Sequence, residues 1–414
     1  MSDSESRLEH RAEERVDWSQ VSHIHFRTAE QQLLDRRLDK INELRQILPI
    51  YLEVLRYVTA TPELGLTATQ QRTVQDVVKW LHVYDQLFSQ EIIARDLSQP
   101  EAEALRVTAA VQLSEVKLNR PVDDLLEGGS SNLPLVEEWV QVVDRPLLVT
   151  TSDSHTTAAY MLQAAENGGY DLSHSAVLSF DHHTDLVDSA ATGLHKGSVM
   201  SHILDKTQLP ALAVVGPLHA TTGHKAPFGK SVDIVTGKDL YTAGHLPDKA
   251  KYTAYLRDIL ARWQEMGITQ IYPSIDLDGL RLTQQVYTAT DYNSLDLMKR
   301  EFFDEQLQDL ADQTLHGIGL QRQSAASEFV ALLEMHMDAK GFSPYQGLPA
   351  SWIGLALDMA TKEYGFTIGI KHPNKPSKIV GDIVEYTPPD HQGRTAKITK
   401  ALLTRLVGVA QAGR

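Results

Sequence analysis

The segment Ser179-Phe180-Asp181-His182-His183-Thr184-Asp185 runs from an apolar stretch into three potential metal ligands at alternate positions: Asp181, His183 and Asp185. If strand geometry continues through them, alternation puts all three on one side. Three hydratable groups leaving a buried strand together are costly unless something compensates them, and a divalent cation would do so. A second segment, Ile271-Tyr272-Pro273-Ser274-Ile275-Asp276-Leu277-Asp278-Gly279, ends the same way. Asp276 and Asp278 share a side, and Gly279 lets the chain turn closely around whatever the carboxylates hold. A third, Leu147-Leu148-Val149-Thr150-Thr151, is followed by Ser152-Asp153-Ser154-His155 and a helical run. There Asp153 could cap the helix, and His155 stands at the strand end. A polar turn after a strand accounts for any one of these segments. Three of them in one chain point to a shared rim, because ligands of open α/β sheets sit at the carboxyl ends of the strands.

Together the positions offer His155, Asp181, His183, Asp185, Asp276 and Asp278. Four carboxylates and two imidazoles suit borderline-hard divalent ions, Mn²⁺ above all. One divalent ion would leave four aspartates at about −2, whereas two bring the cluster near neutral, with a hydroxide between ions roughly 3.5 to 4 Å apart. A structural zinc site usually takes four ligands rich in cysteine and histidine, and calcium is disfavoured by the imidazoles.

The elements that must position these groups read as an α/β fold with a mostly parallel central sheet. Short apolar runs lie at Leu147 to Val149, Ala176 to Phe180, Ala211 to Val215, Ile271 to Ile275, Phe366 to Ile370 and Ile383 to Tyr386. Helix-like pieces at Tyr160 to Ala165 and Tyr252 to Glu265 separate some of them, and Thr395 to Val407 follows the last. Residues 1–130 form an N-terminal helical region. Its first 30 residues are polar and loosely patterned; a stripe of Leu34, Leu38, Ile41, Leu44 and Leu48 follows, with Pro49 a point of bending or interruption. Thr67 and Gln70 have the spacing of a capping box before Val74, Val77, Val78, Leu81, Tyr84 and Phe88, so the two stripes predict a helical hairpin. A turn or linker around Leu125 to Leu135 leads to a catalytic domain over 131–414. Around 280–350 a helical insertion, with Leu307, Leu310, Phe329, Val330 and Leu333, is placed over one edge of the sheet.

The 414 residues are 42% hydrophobic and 22% charged, which excludes a largely disordered or fibrous chain. A formal charge of −15 opposes nonspecific attachment to nucleic acid or anionic membranes. With no cysteine, a disulfide scaffold, an iron–sulfur cluster and a thiol nucleophile are excluded. The first 18 residues lack the apolar core of a secretory signal, and no stretch reaches the roughly 20 apolar residues of a membrane span; a cytoplasmic protein is expected. Thr221 to Ser231 lacks the order of a phosphate-binding loop and reads as a substrate-facing or surface loop. No aromatic–basic interleaving suggests nucleic-acid stacking.

The segments SFDHHTD, SIDLDG and GDIVEYTPPD resemble those of the arginase and agmatinase superfamily, the ureohydrolases, over roughly Leu147 to Val407. The resemblance implies a three-layer arginase-like fold, two Mn²⁺ ions held by His155, Asp181, His183, Asp185, Asp276 and Asp278, and Asp181 and Asp276 as the shared bridging ligands. It also implies that His195 in TGLHKGS is a mobile acid/base residue and that Glu385 in DIVEYTP faces the substrate's guanidinium. The expected reaction converts a guanidino compound to urea and an amine. The chain departs from the family's usual Gly-Gly-Asp-His-Ser at Ser152-Asp153-Ser154-His155-Thr156, from Asp-Ala-His at Asp181-His182-His183, and from the Asp-Pro after the Asp-x-Asp pair at Leu280-Arg281. A distant branch, the peptide arginases, is similar to it around Asp153-Ser154-His155, which implies an arginine-containing precursor peptide as substrate. Arginine, agmatine and other small guanidines are the alternatives, and a metal-containing interaction protein is the non-enzymatic one. The additional helices fit a homo-oligomer interface or a wall over the site.

Overall fold

A strand covered on both faces has no polar side to spare, and among the described residues five strands are buried at every position. In the computed structural model the strands are β1 (Val21–Phe26), β2 (Ser114–Val116), β3 (Leu147–Ser152), β4 (Ser175–Phe180), β5 (Ala211–Val215), β6 (Ser231–Val235), β7 (Gln270–Asp276), β8 (Thr367–Ile368), β9 (Ile370–Lys371) and β10 (Lys378–Val384). The fully buried five are β3, β4, β5, β7 and β10. The structure describes residues 16–26, 46–68, 70–75, 77–78, 81, 114–116, 145–152, 155–217, 220, 227, 229–241, 248–280, 305–340, 347–385 and 394–412.

The sheet order is β2-β1-β3-β10-β7-β4-β5-β6, and every neighbouring pair along it is parallel. β8 extends β7 in parallel and β9 pairs antiparallel with β10. All carboxyl ends of the main path therefore lie along one rim. Alternation along the strands divides the core into two layers. Leu147, Val149, Leu178, Ala213 and Ile271 face the helices Lys249–Glu265, Ala350–Asp358 and Arg394–Ala412. Leu148, Val177, Leu212, Val214 and Tyr272 face Thr156–Asn167 and Val199–Lys206. The result is the three-layer α/β architecture expected.

A third apolar cluster stands apart. Helical residues 46–60 and the stretch following Thr67 bury Tyr51, Val54, Leu55, Val77 and Leu81 against Leu307, Phe329 and Val330 of the helices Glu305–His316 and Leu320–Lys340. Tyr51 and Phe329 meet edge to face at 5.4 Å. The insertion thus shares its core with the N-terminal helices. Both of its stems return to one point: Leu280 bridges Leu348, whose N–H donates to the Gly279 carbonyl at 2.7 Å. The predicted capping box is present, with Gln70 N–H donating to Thr67 Oγ1 at 3.2 Å and Thr67 N–H to Gln70 Oε1 at 3.0 Å.

Other differences have local causes. The helix continues through Pro49 without interruption. β1 lies in the segment read as loosely patterned, because Val-Ser-His-Ile-His-Phe mixes polar residues into a strand that β3 and β2 pair on either side. Its buried His23 sits 2.7 Å from Thr151 Oγ1, and burial lowers its pKa to about 4. β6 was also unread: only Val235 is buried, so it carries little apolar signal. The run Phe366 to Ile370 is two short strands parted at Gly369, whose φ is +90°. Residues Leu34 to Leu44, Tyr84, Phe88, the turn at Leu125 to Leu135, Asp153 and Tyr386 lie outside the described residues.

Candidate metal centre

The four neighbouring strands β3, β10, β7 and β4 deliver the ligands. His155 follows β3, Asp181 follows β4, Asp276 ends β7, Asp278 lies in the single turn Leu277–Gly279, and Glu385 follows β10. Gly279 is what allows the β4 and β7 ends to meet. A Cβ there would lie 2.9 Å from Asp181 N and Cα and 3.0 Å from the Phe180 carbonyl oxygen, so any side chain would force two ligand-bearing segments apart.

His155 Nδ1 stands 2.9 Å from Asp185 Oδ2, 3.2 Å from Asp276 Oδ2 and 3.3 Å from Asp181 Oδ2. His183 Nδ1 stands 2.9 Å from Asp278 Oδ2 and 3.8 Å from Asp181 Oδ1. Asp181 therefore turns one oxygen to each imidazole. Three ligand sets have donor atoms within 4.8 Å of one another: His155, Asp181 and Asp276; Asp181, His183 and Asp278; and Asp276, Asp278 and Glu385. All six residues predicted as ligands are brought together, with room for two cations and Asp181 between them. Backbone amides hold the carboxylates: His183 N–H donates to Asp181 Oδ1 at 2.6 Å, His182 N–H to Asp278 Oδ1 at 3.2 Å, and Asp278 N–H to Asp276 Oδ1 at 2.9 Å.

The donor set fits divalent ions. His155 Nδ1, Asp181 Oδ2 and Asp278 Oδ2 are buried and make no well-aimed hydrogen bond, and lone pairs converging in this way are costly unless a cation or protons lie between them. Without ions the cluster must hold protons instead. Burial, then the charges of Asp185 and Asp278, raise the Asp181 pKa to about 7. Burial and the charges of Asp278, Glu385 and Asp181 push Asp276 well above the carboxylate range. Burial would lower the His155 pKa, but the carboxylates of Asp181, Asp185 and Asp276 carry it well above its ordinary value. Loss of solvent also opposes charge on His183, and Asp278 foremost reverses that. Burial works against ionisation of Asp278, yet His183 and His182 hold it below the usual range.

Among the described residues, the only non-glycine positions with positive φ are Asp185 at 50° and Glu385 at 57°. Both belong to this cluster. Backbone held in a sparsely populated region persists where its surroundings over-determine it, and such residues concentrate at functional sites.

His195 is placed differently. It caps the turn Lys196–Ser198; its Nδ1 accepts from Gly197 N–H at 3.2 Å and its Nε2 lies 3.0 Å from Thr192 Oγ1. It stands outside the three ligand sets, although its segment is tied to them where Met200 N–H donates to the Asp185 carbonyl at 3.0 Å. The additional imidazole, His182, stacks edge to face on His183 with centroids 5.4 Å apart.

Three further residues were not singled out from sequence. His155 Nε2 lies 3.3 Å from Ser274 Oγ, the Ser274 hydroxyl donates to Asp382 at 2.7 Å, and the Tyr272 hydroxyl donates to the same carboxylate at 2.6 Å. The period-two spacing of Tyr272, Ser274 and Asp276 along β7 was the available signal.

No family model and no curated protein matches this chain. Solved structures similar to it include formimidoylglutamase from Bacillus subtilis, at 13% identity over 71% of this chain and 70% of that one, with a TM-score of 0.42. Arginase from the same organism is 15% identical over 75% and 90% of the two chains, with a TM-score of 0.42. A Trypanosoma cruzi formiminoglutamase with Mn²⁺ is 10% identical over 72% and 74%, with a TM-score of 0.39.

Proposed function

We propose that this chain is a binuclear, manganese-dependent hydrolase of the ureohydrolase kind, which releases urea from a guanidino group, and that its preferred substrate is an arginine side chain in a peptide, left as ornithine. The observation that carries the hydrolase reading is the convergence of His155, Asp181, His183, Asp185, Asp276 and Asp278 at one rim, with unsatisfied buried lone pairs aimed between them. His155, Asp181, Asp185 and Asp276 would hold one ion; Asp181, His183 and Asp278, with Asp276, would hold the other. Bound there, two divalent ions supply a field that makes water acidic enough to yield a nucleophile near neutral pH.

The remaining steps belong to side chains. Glu385, which by the resemblance faces the guanidinium, is assigned to select a cationic substrate. Its negative charge and two oxygens suit the paired N–H groups of a guanidinium. A C–O bond forms at the guanidino carbon, the C–N bond to the side chain breaks, and the departing amine takes up a proton. His195 is the residue assigned to deliver that proton, since a protonated imidazole can act as a general acid. Both of its ring nitrogens are engaged by Gly197 and Thr192, so delivery requires the ring to leave its cap.

Preference for a peptide is supported by the divergent Ser152-Asp153-Ser154-His155 frame and by the origin of the insertion, whose stems leave and rejoin the rim beside Gly279. The test is a mass-spectrometric screen of the Mn²⁺-loaded chain with arginine, agmatine, guanidine and an arginine-containing peptide. A mass loss equal to cyanamide from the peptide alone supports the reading. Conversion of free arginine alone removes the peptide substrate, and absence of urea from every compound, with metal bound, removes the enzyme.

A further inference from the structure

A buried carboxylate that touches no cation is expensive to keep. Asp382 is 1% exposed, and its oxygens face two hydroxyls rather than a lysine or arginine. Tyr272 and Ser274 point to it from β7, and strand register sets Asp382 directly beside Ser274. Both hydroxyls belong to residues without measurable exposure, so solvent cannot substitute for any member of the chain.

With Asp382 as the carboxylate, the order of donors in this chain follows. A carboxylate only accepts, so the single proton of the Ser274 hydroxyl goes to Asp382. Ser274 Oγ can then only accept from His155, which places the imidazole proton on Nε2. In the neutral ring, the form that would hold an ion, Nδ1 then presents its lone pair on the side where Asp181, Asp185 and Asp276 lie. Metal-ligating imidazoles are generally held in this way, by a partner on the nitrogen that does not bind the ion.

We infer that Asp382, acting through Ser274 and braced by Tyr272, is a positioning residue that selects the tautomer and ring orientation of His155 and so preforms one of the two cation seats. This rests on the metal-centre reading above and extends it to three residues outside the ligand set. If Asp382 becomes an amide, its NH₂ group can donate to Ser274 Oγ. The serine proton can then turn to His155 Nε2, which favours the tautomer with its proton on Nδ1, where the ion should bind.

The experiment is Mn²⁺ titration by calorimetry on the full chain, with bound metal counted by elemental analysis. Wild type should bind two ions. Asp382→Asn and Ser274→Ala should each bind one ion roughly ten- to a hundred-fold more weakly while the other keeps its affinity, with Tyr272→Phe affected less. In the zinc-loaded protein, nitrogen NMR of the imidazoles should show His155 protonated at Nε2 in wild type. Melting in chelator separates loss of folding from loss of metal; should Asp382→Asn fail to fold, the smaller Ser274→Ala decides. Wild-type affinity for both ions in Ser274→Ala overturns the positioning role and leaves the metal centre standing. A wild-type chain that binds no Mn²⁺ overturns both.

Discussion

The two imidazoles of the cluster occupy unlike surroundings. The His155 side chain is 1% exposed and held from behind by Ser274; the His183 side chain is 49% exposed and meets Asp278 at the mouth of the site. One seat is enclosed and preorganised, and the other opens to solvent. On the proposed reading, the difference teaches how a single site would retain metal and admit substrate: the enclosed seat would keep its ion, while the open one would leave room for an incoming group beside Glu385. A chelator should therefore remove the His183-side ion first.

The largest effect expected is that of Asp181→Asn, which weakens the carboxylate shared by both seats; urea release should fall to the uncatalysed background, with both ions lost by elemental analysis. Next, His155→Asn and His183→Asn should separate the seats. The first should lower affinity beyond the roughly 100-fold ceiling typical of indirect contacts, and the second should spare the enclosed ion; equal losses in both would erase the distinction. His195→Ala should leave metal content unchanged while turnover falls by about 10²- to 10⁴-fold, the usual range for a lost general acid. Gly279→Ala forces the Asp181 and Asp278 segments apart and should cost about 1 to 3 kcal/mol, read by denaturant unfolding in chelator, along with weaker binding at both seats.

The smallest effect is on the pH dependence of the metal-free chain. Asp181 is raised to about 7 and Asp276 well above the usual carboxylate range, so the folded state holds protons that the unfolded chain has released. His155 and His183 are raised as well. A raised pKa of either kind contributes stability present at low pH and lost as pH rises, so unfolding free energy should fall from about pH 5 to pH 8. Saturating Mn²⁺ replaces those protons and should flatten or reverse the slope; an unchanged slope would detach these groups from the ions.

The ligands were legible because the signal is local: apolar strands ending in alternate acids and imidazoles carry their geometry in a few adjacent residues. The Thr67–Gln70 capping box was legible for the same reason. The Ser274–Asp382 hydrogen bond joins residues far apart in the chain and depends on the register of β7 against β10, which no local pattern contains. The shared core of Tyr51 and Phe329 was hidden likewise, since an apolar helical stripe declares that it has a partner without declaring which. β1 was obscured by its own polar residues, and the burial of His23 becomes intelligible only once Thr151 of β3 lies alongside.

The left-handed backbone at Asp185 and Glu385 has a thermodynamic corollary. Each such residue costs on the order of 1 to 3 kcal/mol, and in both cases the side chain that would clasp an ion or its cargo is on the strained residue itself. On the proposed reading, metal and ligand would act as latches on two cocked hinges. Withdrawing them should release the hinges, and their amides should exchange hydrogen faster while the strands behind them stay protected.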